Sequence, residues 1–269
     1  MQLVWLTDIH LNFIDEDARH HFYQSIIDTK CNGVLITGDI AEATDVQSIL
    51  IEMADFIDKP IYFILGNHDY YRGQVNEVRS RMIALTQSHP HLFWLAASGM
   101  MKLNDDVILV GQDGWADGRL GDYQRSRVVL NDSRMIANLF QKKIIGKQAL
   151  LTKMQELADA DAFCLQSQLK KVIATQNPKK IIVLTHVPPF KEVCLHQGKI
   201  SDDEWLPFFG SKIMGDVLIE IANQNADIDF LVLCGHTHSK GVYQPVSNLM
   251  IEAGAAEYCR PEIQTVIFV

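Results

Sequence analysis

Ile61-Tyr62-Phe63-Ile64-Leu65-Gly66-Asn67-His68-Asp69 is the stretch on which the fold turns. Its five leading apolar residues read as a β-strand. The strand stops at a glycine, and an amide, an imidazole and a carboxylate follow in succession. The same arrangement recurs along the chain. Leu3 to Leu6 precedes Asp8-Ile9-His10, and Val34 to Ile36 precedes Gly38-Asp39. Ile181 to Leu184 precedes Thr185-His186, and Phe230 to Leu233 precedes Gly235-His236-Thr237-His238. Strands that end together bring their following loops together. Five loops carrying Asp, Asn and His then converge on one spot, and that donor set suits a metal.

Between these strands the apolar spacing is helical. Residues 16–30 place Phe22, Ile26 and Ile27 on one side. Residues 44–57 place Ile49, Leu50, Met53, Phe56 and Ile57 inward, with Thr44 as a cap, and residues 74–87 form a third helix closed by His89-Pro90. Strand–helix alternation of this kind indicates an α/β layer. Strands follow at 100–104 and 107–111, joined by Asn104-Asp105-Asp106. Residues 131–176 read as helical with a break at Gly146, and Pro178 ends that stretch. Pro188-Pro189 opens a long loop to about 209, residues 211–224 form a helix, and residues 241–269 read as a strand meander. Residues 1–269 are expected to form one domain, with no repeat, low-complexity tract or interdomain linker.

With 269 residues, 48% of them hydrophobic, the chain can bury a substantial core. A net charge of −9 argues against an extended nucleic-acid track, which needs a basic stripe. Two divalent cations would reverse the field locally and draw phosphate into an acidic protein. No apolar run approaches the roughly 20 residues that span a bilayer. No basic and apolar leader precedes the first strand, so a cytoplasmic protein without a membrane partner is expected. Cys31, Cys164, Cys194, Cys234 and Cys259 show neither metal-ligand pairing nor a disulfide framework, and are expected as reduced thiols.

The five clusters, in this order and each behind a strand, resemble the calcineurin-like metallophosphoesterase superfamily, whose members hydrolyse phosphate esters with two metal ions. The resemblance runs from Asp8 to His238. Gly-Asn-His-Asp and Gly-His-Thr-His are its specific pieces, while Gly-Asp and the single His186 take their meaning from order. It implies a layered α/β sandwich of two facing mixed β-sheets flanked by helices, with the metals at one strand-end edge. It implies Asp39 as the bridge between two metals, with Asp8, His10 and His238 completing the first site and Asn67, His186 and His236 the second. The chemistry agrees: a carboxylate has two oxygens and can hold two cations roughly 3.5–4 Å apart. With Asp8 and Asp39 as the only anionic ligands, the cluster stays net positive toward phosphate. By the same resemblance His68 helps protonate the leaving oxygen and Asp69 orients His68, while a metal-bound hydroxide attacks in line. Manganese, iron, cobalt, nickel and zinc, as divalent or trivalent ions, all suit these mixed O and N ligands.

Gly-Asn-His-Asp stands where the family's phosphoprotein phosphatases typically have Gly-Asn-His-Glu. With Asp-x-His-Leu at the start and Gly-His-Thr-His-Ser at the end, the chain looks more like the bacterial phosphodiesterase branch. That branch includes cyclic-nucleotide phosphodiesterases, nucleases and nucleotide pyrophosphatases. A phosphodiesterase acting on a small phosphorylated substrate, nucleotides included, is therefore expected. A phosphomonoesterase acting on a small metabolite is the second reading. The charge disfavours a nuclease, and the presence of His68 with all the ligand positions disfavours a non-catalytic scaffold.

Segment 112–130 lies outside the shared motifs. It is rich in Gly and Asp and reads as a lid beside the metals, with Trp115 and Tyr123 stacking a ring and Arg119 gripping phosphate. The competing reading is a structural turn whose arginines pair with Asp113, Asp117 and Asp122. His20, His21, His89, His91 and His196 are expected at the surface. An exposed helical stretch within 131–176 would suit a homo-oligomer.

Overall fold

The computed structural model describes residues 1–269, and all five apolar runs in front of the ligand clusters are strands. The first half alternates β1 (Gln2–Leu6), α1 (Glu16–Asp28), β2 (Gly33–Thr37), α2 (Val46–Ile57), β3 (Ile61–Ile64), α3 (Val75–Ser88), β4 (Leu92–Trp94) and α4 (Leu95–Ser98). β5 (Met101–Lys102) and β6 (Val107–Gly111) lead to three helices: α5 (Asp132–Met135), α6 (Ala137–Ile145) and α7 (Lys147–Gln176). After β7 (Lys180–Leu184) come a small hairpin of β8 (Leu195–His196) and β9 (Lys199–Ile200), then α8 (Leu206–Phe209) and α9 (Lys212–Gln224). β10 (Asp229–Cys234), β11 (Gly241–Val246), β12 (Leu249–Ala253) and β13 (Thr265–Phe268) complete the chain.

Two mixed sheets face each other. One has the order β13-β1-β2-β3-β4, the other β11-β12-β10-β7-β6-β5. Within each, the inner strands run parallel, and the antiparallel partners β13, β11 and β5 sit at the edges. Side chains alternate across a strand, so each strand serves two layers. Leu3, Trp5, Leu35, Ile182, Leu184 and Leu233 fill the space between the sheets. Val4, Leu6, Val34 and Ile36 turn to the helices on the first sheet, while Ile181, Val183 and Val232 turn to those on the second. α7 joins both outer layers: Met154 and Ala158 pack with the first cluster, Leu165 and Leu169 with the second.

Some local expectations need correction. Ile49, Leu50, Met53 and Ile57 of α2 are buried, but Phe56 is 36% exposed and lies on the rings of His20 and Tyr23. Thr44 does not cap α2, because its hydroxyl donates to Asp45 instead. The C-terminal strands are not one meander. β11 and β12 extend the second sheet, whereas β13 crosses to the first and pairs with β1. The connection between them passes over the edge where the ligand loops gather. All five cysteines are free thiols. No helix is long and apolar enough to cross a membrane.

Candidate metal centre

The loops that leave β1, β2, β3, β7 and β10 meet at one edge of the two sheets. Asp8, His10, Asp39 and His238 each bring a donor atom within 4.8 Å of the others. His10 Nε2 lies 3.3 Å from His238 Nε2 and 3.8 Å from Asp39 Oδ2, and His238 Nε2 lies 3.4 Å from Asp8 Oδ1. Asn67, His186 and His236 gather on the other side of Asp39. His186 Nε2 and His236 Nδ1 are each 2.9 Å from Asn67 Oδ1, and His186 Nε2 is 3.4 Å from Asp39 Oδ1. Asp39 thus turns one oxygen to each group.

The outward-facing atoms fix what faces inward. His186 Nδ1–H donates to the Thr37 carbonyl at 2.8 Å, and His236 Nε2–H donates to the Phe208 carbonyl at 2.9 Å. The Asn67 amide nitrogen donates to Asp132 Oδ1 at 2.8 Å. Carbonyls and carboxylates only accept, so with both rings neutral, as metal ligation requires, the inward atoms of these three residues are lone pairs. Lone pairs pointed at one another repel unless a cation lies among them. The residues present therefore fit a metal pair, with Asp8, His10, Asp39 and His238 around one ion and Asp39, Asn67, His186 and His236 around the other. Burial holds the His10 imidazole down to about 4, in the neutral form a ligand needs. Burial would also depress His186, but the adjoining Asp39 carboxylate pushes it up to about 10, a measure of how strongly this point calls for positive charge.

The backbone is strained where the ligands leave it. Asp8, His10, Asp39, His236 and His238 all have φ between 40° and 72°, and they are five of the eleven non-glycine residues with positive φ. Such residues cost roughly 1–2 kcal/mol each. Asp and His enter this region more readily than most residues, and the packed sheets hold these five there. Two motif glycines are needed for close approach. A Cβ on Gly66 would fall on Asp39 Oδ1, and one on Gly235 would fall on Thr7 Oγ1 and Asp8 Oδ2.

His68 stands beside the cluster rather than in it. Its backbone N–H donates to Asp39 Oδ1 at 2.8 Å, and its ring stacks on Tyr71 at 4.1 Å between centroids. His68 Nδ1 is buried and has no protein partner. Asp69 is placed otherwise than expected. Its Oδ1 accepts from the amides of Ile40 and Ala41 at 2.9 Å, and its Oδ2 accepts from Gly66 N at 2.8 Å, with no bond to the His68 ring. It ties the second ligand loop to the third. Burial, with Asp39 nearby, pushes its carboxyl up to about 8. Three N–H donors nonetheless form the setting of an ionised carboxylate, and positive charge at Asp39 would remove the repulsion.

Three residues of segment 112–130 do not serve as expected. Trp115 and Tyr123 are each 4% exposed. Trp115 packs on Tyr70 at 5.0 Å, and the Tyr123 hydroxyl donates to the Lys147 carbonyl at 3.0 Å. Arg119 pairs with Asp117 at 3.1 Å and with Asp159 at 2.8 Å. The large rings are drawn under α6 and α7, where burial stabilises them more than exposure beside a polar centre would. Nor does Asp113 pair with an arginine of its own loop. It accepts from Leu65 N, Trp94 Nε1 and the Tyr70 hydroxyl at 2.9, 2.9 and 2.6 Å, and from Arg79 at 3.2 Å. Asp161 grips the same Arg79 nitrogen with both oxygens, at 2.9 and 2.8 Å. This buried network braces the loop that carries Asn67 and His68. His20, His89 and His91 lie near surface carboxylates, and His21 bonds within α1, all away from the centre.

Sequence reading missed Asp132, 65 positions from the amide it holds. It also accepts from the Tyr71 hydroxyl at 2.7 Å. Asp132→Ala is expected to free the Asn67 amide to rotate and to weaken one metal site by about 10–100-fold, the usual cost of losing a partner behind a ligand. Calorimetric metal titration checks this. Two sites that weaken equally, or not at all, would contradict the assignment.

A family model described as calcineurin-like phosphoesterase matches residues 1–240. Comparison with curated proteins finds no match. A dimetal phosphatase from Danio rerio is similar in structure, with TM-score 0.59 and 12% identity over 95% of this chain and 87% of that one. So is the phosphopantetheinyl hydrolase of Mycobacterium tuberculosis, with TM-score 0.59 and 10% identity over 94% of this chain and 89% of that one. At these identities the structural likeness speaks for the fold.

Proposed function

This chain belongs to the calcineurin-like phosphoesterase family, and from that premise we propose that it hydrolyses a small phosphodiester at a binuclear metal centre. One observation carries the reading: the two groups of inward-facing acceptors share Asp39, one carboxylate oxygen to each. When bound, two cations there would polarise the phosphoryl oxygens and supply an activated water. The chain's own residues do the rest. Asp39 fixes the spacing of the two groups, and the His68 amide holds Asp39 in place. Tyr71 sets the plane of the His68 ring, which borders the cavity and is the group available to protonate a leaving oxygen.

The surroundings favour a diester. A cavity of about 380 Å³ opens beside His68, and no lysine or arginine lines it. The nearby Arg72 is paired with Glu42 at 3.1 Å. A monoester dianion would lack the cationic side chains that usually grip its extra charge, whereas a diester carries a single negative charge. Nucleotides and cyclic nucleotides are the natural diesters to test. Protein reconstituted with manganese, iron, cobalt, nickel or zinc is expected to have the higher kcat/KM on bis(p-nitrophenyl) phosphate than on p-nitrophenyl phosphate. The reverse order would replace the diester reading with a monoesterase, and turnover of neither would remove the reading altogether.

A further inference from the structure

We propose that Tyr258 and Phe13 form an aromatic slot at the metal centre that selects substrates whose leaving group carries an uncharged planar ring. The inference rests on the phosphoesterase reading of the centre. Tyr258 lies in the C-terminal segment, beyond the residues 1–240 that the family model matches. Its ring centroid is 4.6 Å from that of His10 and 5.1 Å from that of His238. Phe13, from the loop after His10, meets Tyr258 edge-on at 5.4 Å.

Tyr258 is held there by a built turn. The Arg260 amide donates to the Glu257 carbonyl at 3.1 Å, and the two side chains pair at 3.1 Å. Cys259, between them, takes a left-handed conformation with φ 65°. At the base of the loop Gln264 bonds Ala255 twice, accepting from its amide at 2.9 Å and donating to its carbonyl at 2.8 Å. A half-exposed tyrosine fixed at this much structural cost, with no hydrogen bond from its hydroxyl, offers its ring face rather than a polar contact.

The cavity lined by the two rings and His68 completes the case. Tyr71, Met135, Glu42 and Asn131 also line it. Its volume of about 380 Å³ lies at the small end of ligand sites. No cationic side chain lines it, so a second phosphate or a carboxylate on the leaving group would go unpaired. A neutral ring would stack in offset fashion on Tyr258 beside His68, with the phosphorus end toward the metals.

Phosphonates test the slot without turnover, because their P–C bond is inert to hydrolysis. Manganese-loaded protein is titrated with phenylphosphonate and methylphosphonate. The wild type is expected to bind the phenyl compound roughly three- to tenfold more tightly, the size of one aromatic contact. Tyr258→Phe should keep that preference and Tyr258→Ala should lose it, with metal content and circular dichroism unchanged. Equal binding of the two compounds by the wild type, no binding of either, or a preference that survives in Tyr258→Ala overturns the slot. The phosphoesterase reading is decided separately, by turnover of the p-nitrophenyl esters.

Discussion

Asp39→Asn is expected to yield a folded protein that retains fewer than two equivalents of metal and turns over roughly 10³-fold more slowly or worse, the size of the several kcal/mol that a metal pair contributes. The side chain is almost fully buried, and its two oxygens face different groups of donors. An amide has the same shape but only one acceptor oxygen. Its NH₂ must point either at the His10 side or at the His186 side, and it then presents hydrogens where a cation needs a lone pair. If the oxygen stays toward His186 it can still accept from the His68 amide, and the site formed with Asn67 survives in part. If it turns away, that bond is lost as well. Metal analysis after extensive dialysis, followed by steady-state kinetics, decides the matter. Two full equivalents with normal turnover would show that Asp39 does not bridge.

How much of this centre was legible in the sequence depends on distance along the chain. Asp8, His10, Asn67, His236 and His238 sit within a few residues of strands that apolar runs reveal, and parallel pairing brings those strand ends together. Position therefore brought them to one edge, and the family resemblance gave them their roles. The residues that orient them were not legible. Asp132 reaches Asn67, and the Phe208 carbonyl reaches His236, from short helices with no motif of their own. Their roles depend on how α5 and α8 pack. Asp69 failed for the opposite reason. Its neighbour in sequence is His68, but the short helical turn at His68–Tyr70 sends the two side chains apart, and Asp69 meets three backbone amides instead.

The segment 112–130 shows the same limit. Its composition permits both a lid and a packed turn, since Trp and Tyr serve either purpose. What decides between them is the long α7, which buries apolar surface over both sheets and offers these rings a place beneath it. The aromatic wall came from Tyr258 instead, a residue whose surroundings are set by the crossing of β13 to the first sheet. The left-handed backbone of five ligands was likewise not legible, because Asp and His enter positive φ more often than most residues but far less regularly than glycine.

His68→Ala is expected to retain both metals and yet lose turnover roughly 10²-fold or more on esters with alkyl leaving groups, the range of general acid catalysis. Retention follows from the contacts. The link from His68 to the ligands is its backbone N–H on Asp39, which alanine preserves. Its ring touches Tyr71 and the edge of His10 and occupies none of the inward-facing donor positions. The loss follows from chemistry. An alkoxide is a poor leaving group and needs a proton in the transition state, and the His68 imidazole bordering the cavity is placed to give one. A p-nitrophenolate is stable without that proton, so the defect should shrink as the leaving group becomes more acidic. A series of diesters of graded leaving-group acidity, assayed on protein of verified metal content, reads this slope directly. An equal defect across the series would make His68 an electrostatic or positioning group rather than the proton donor, and a collapse of metal content would make it a ligand.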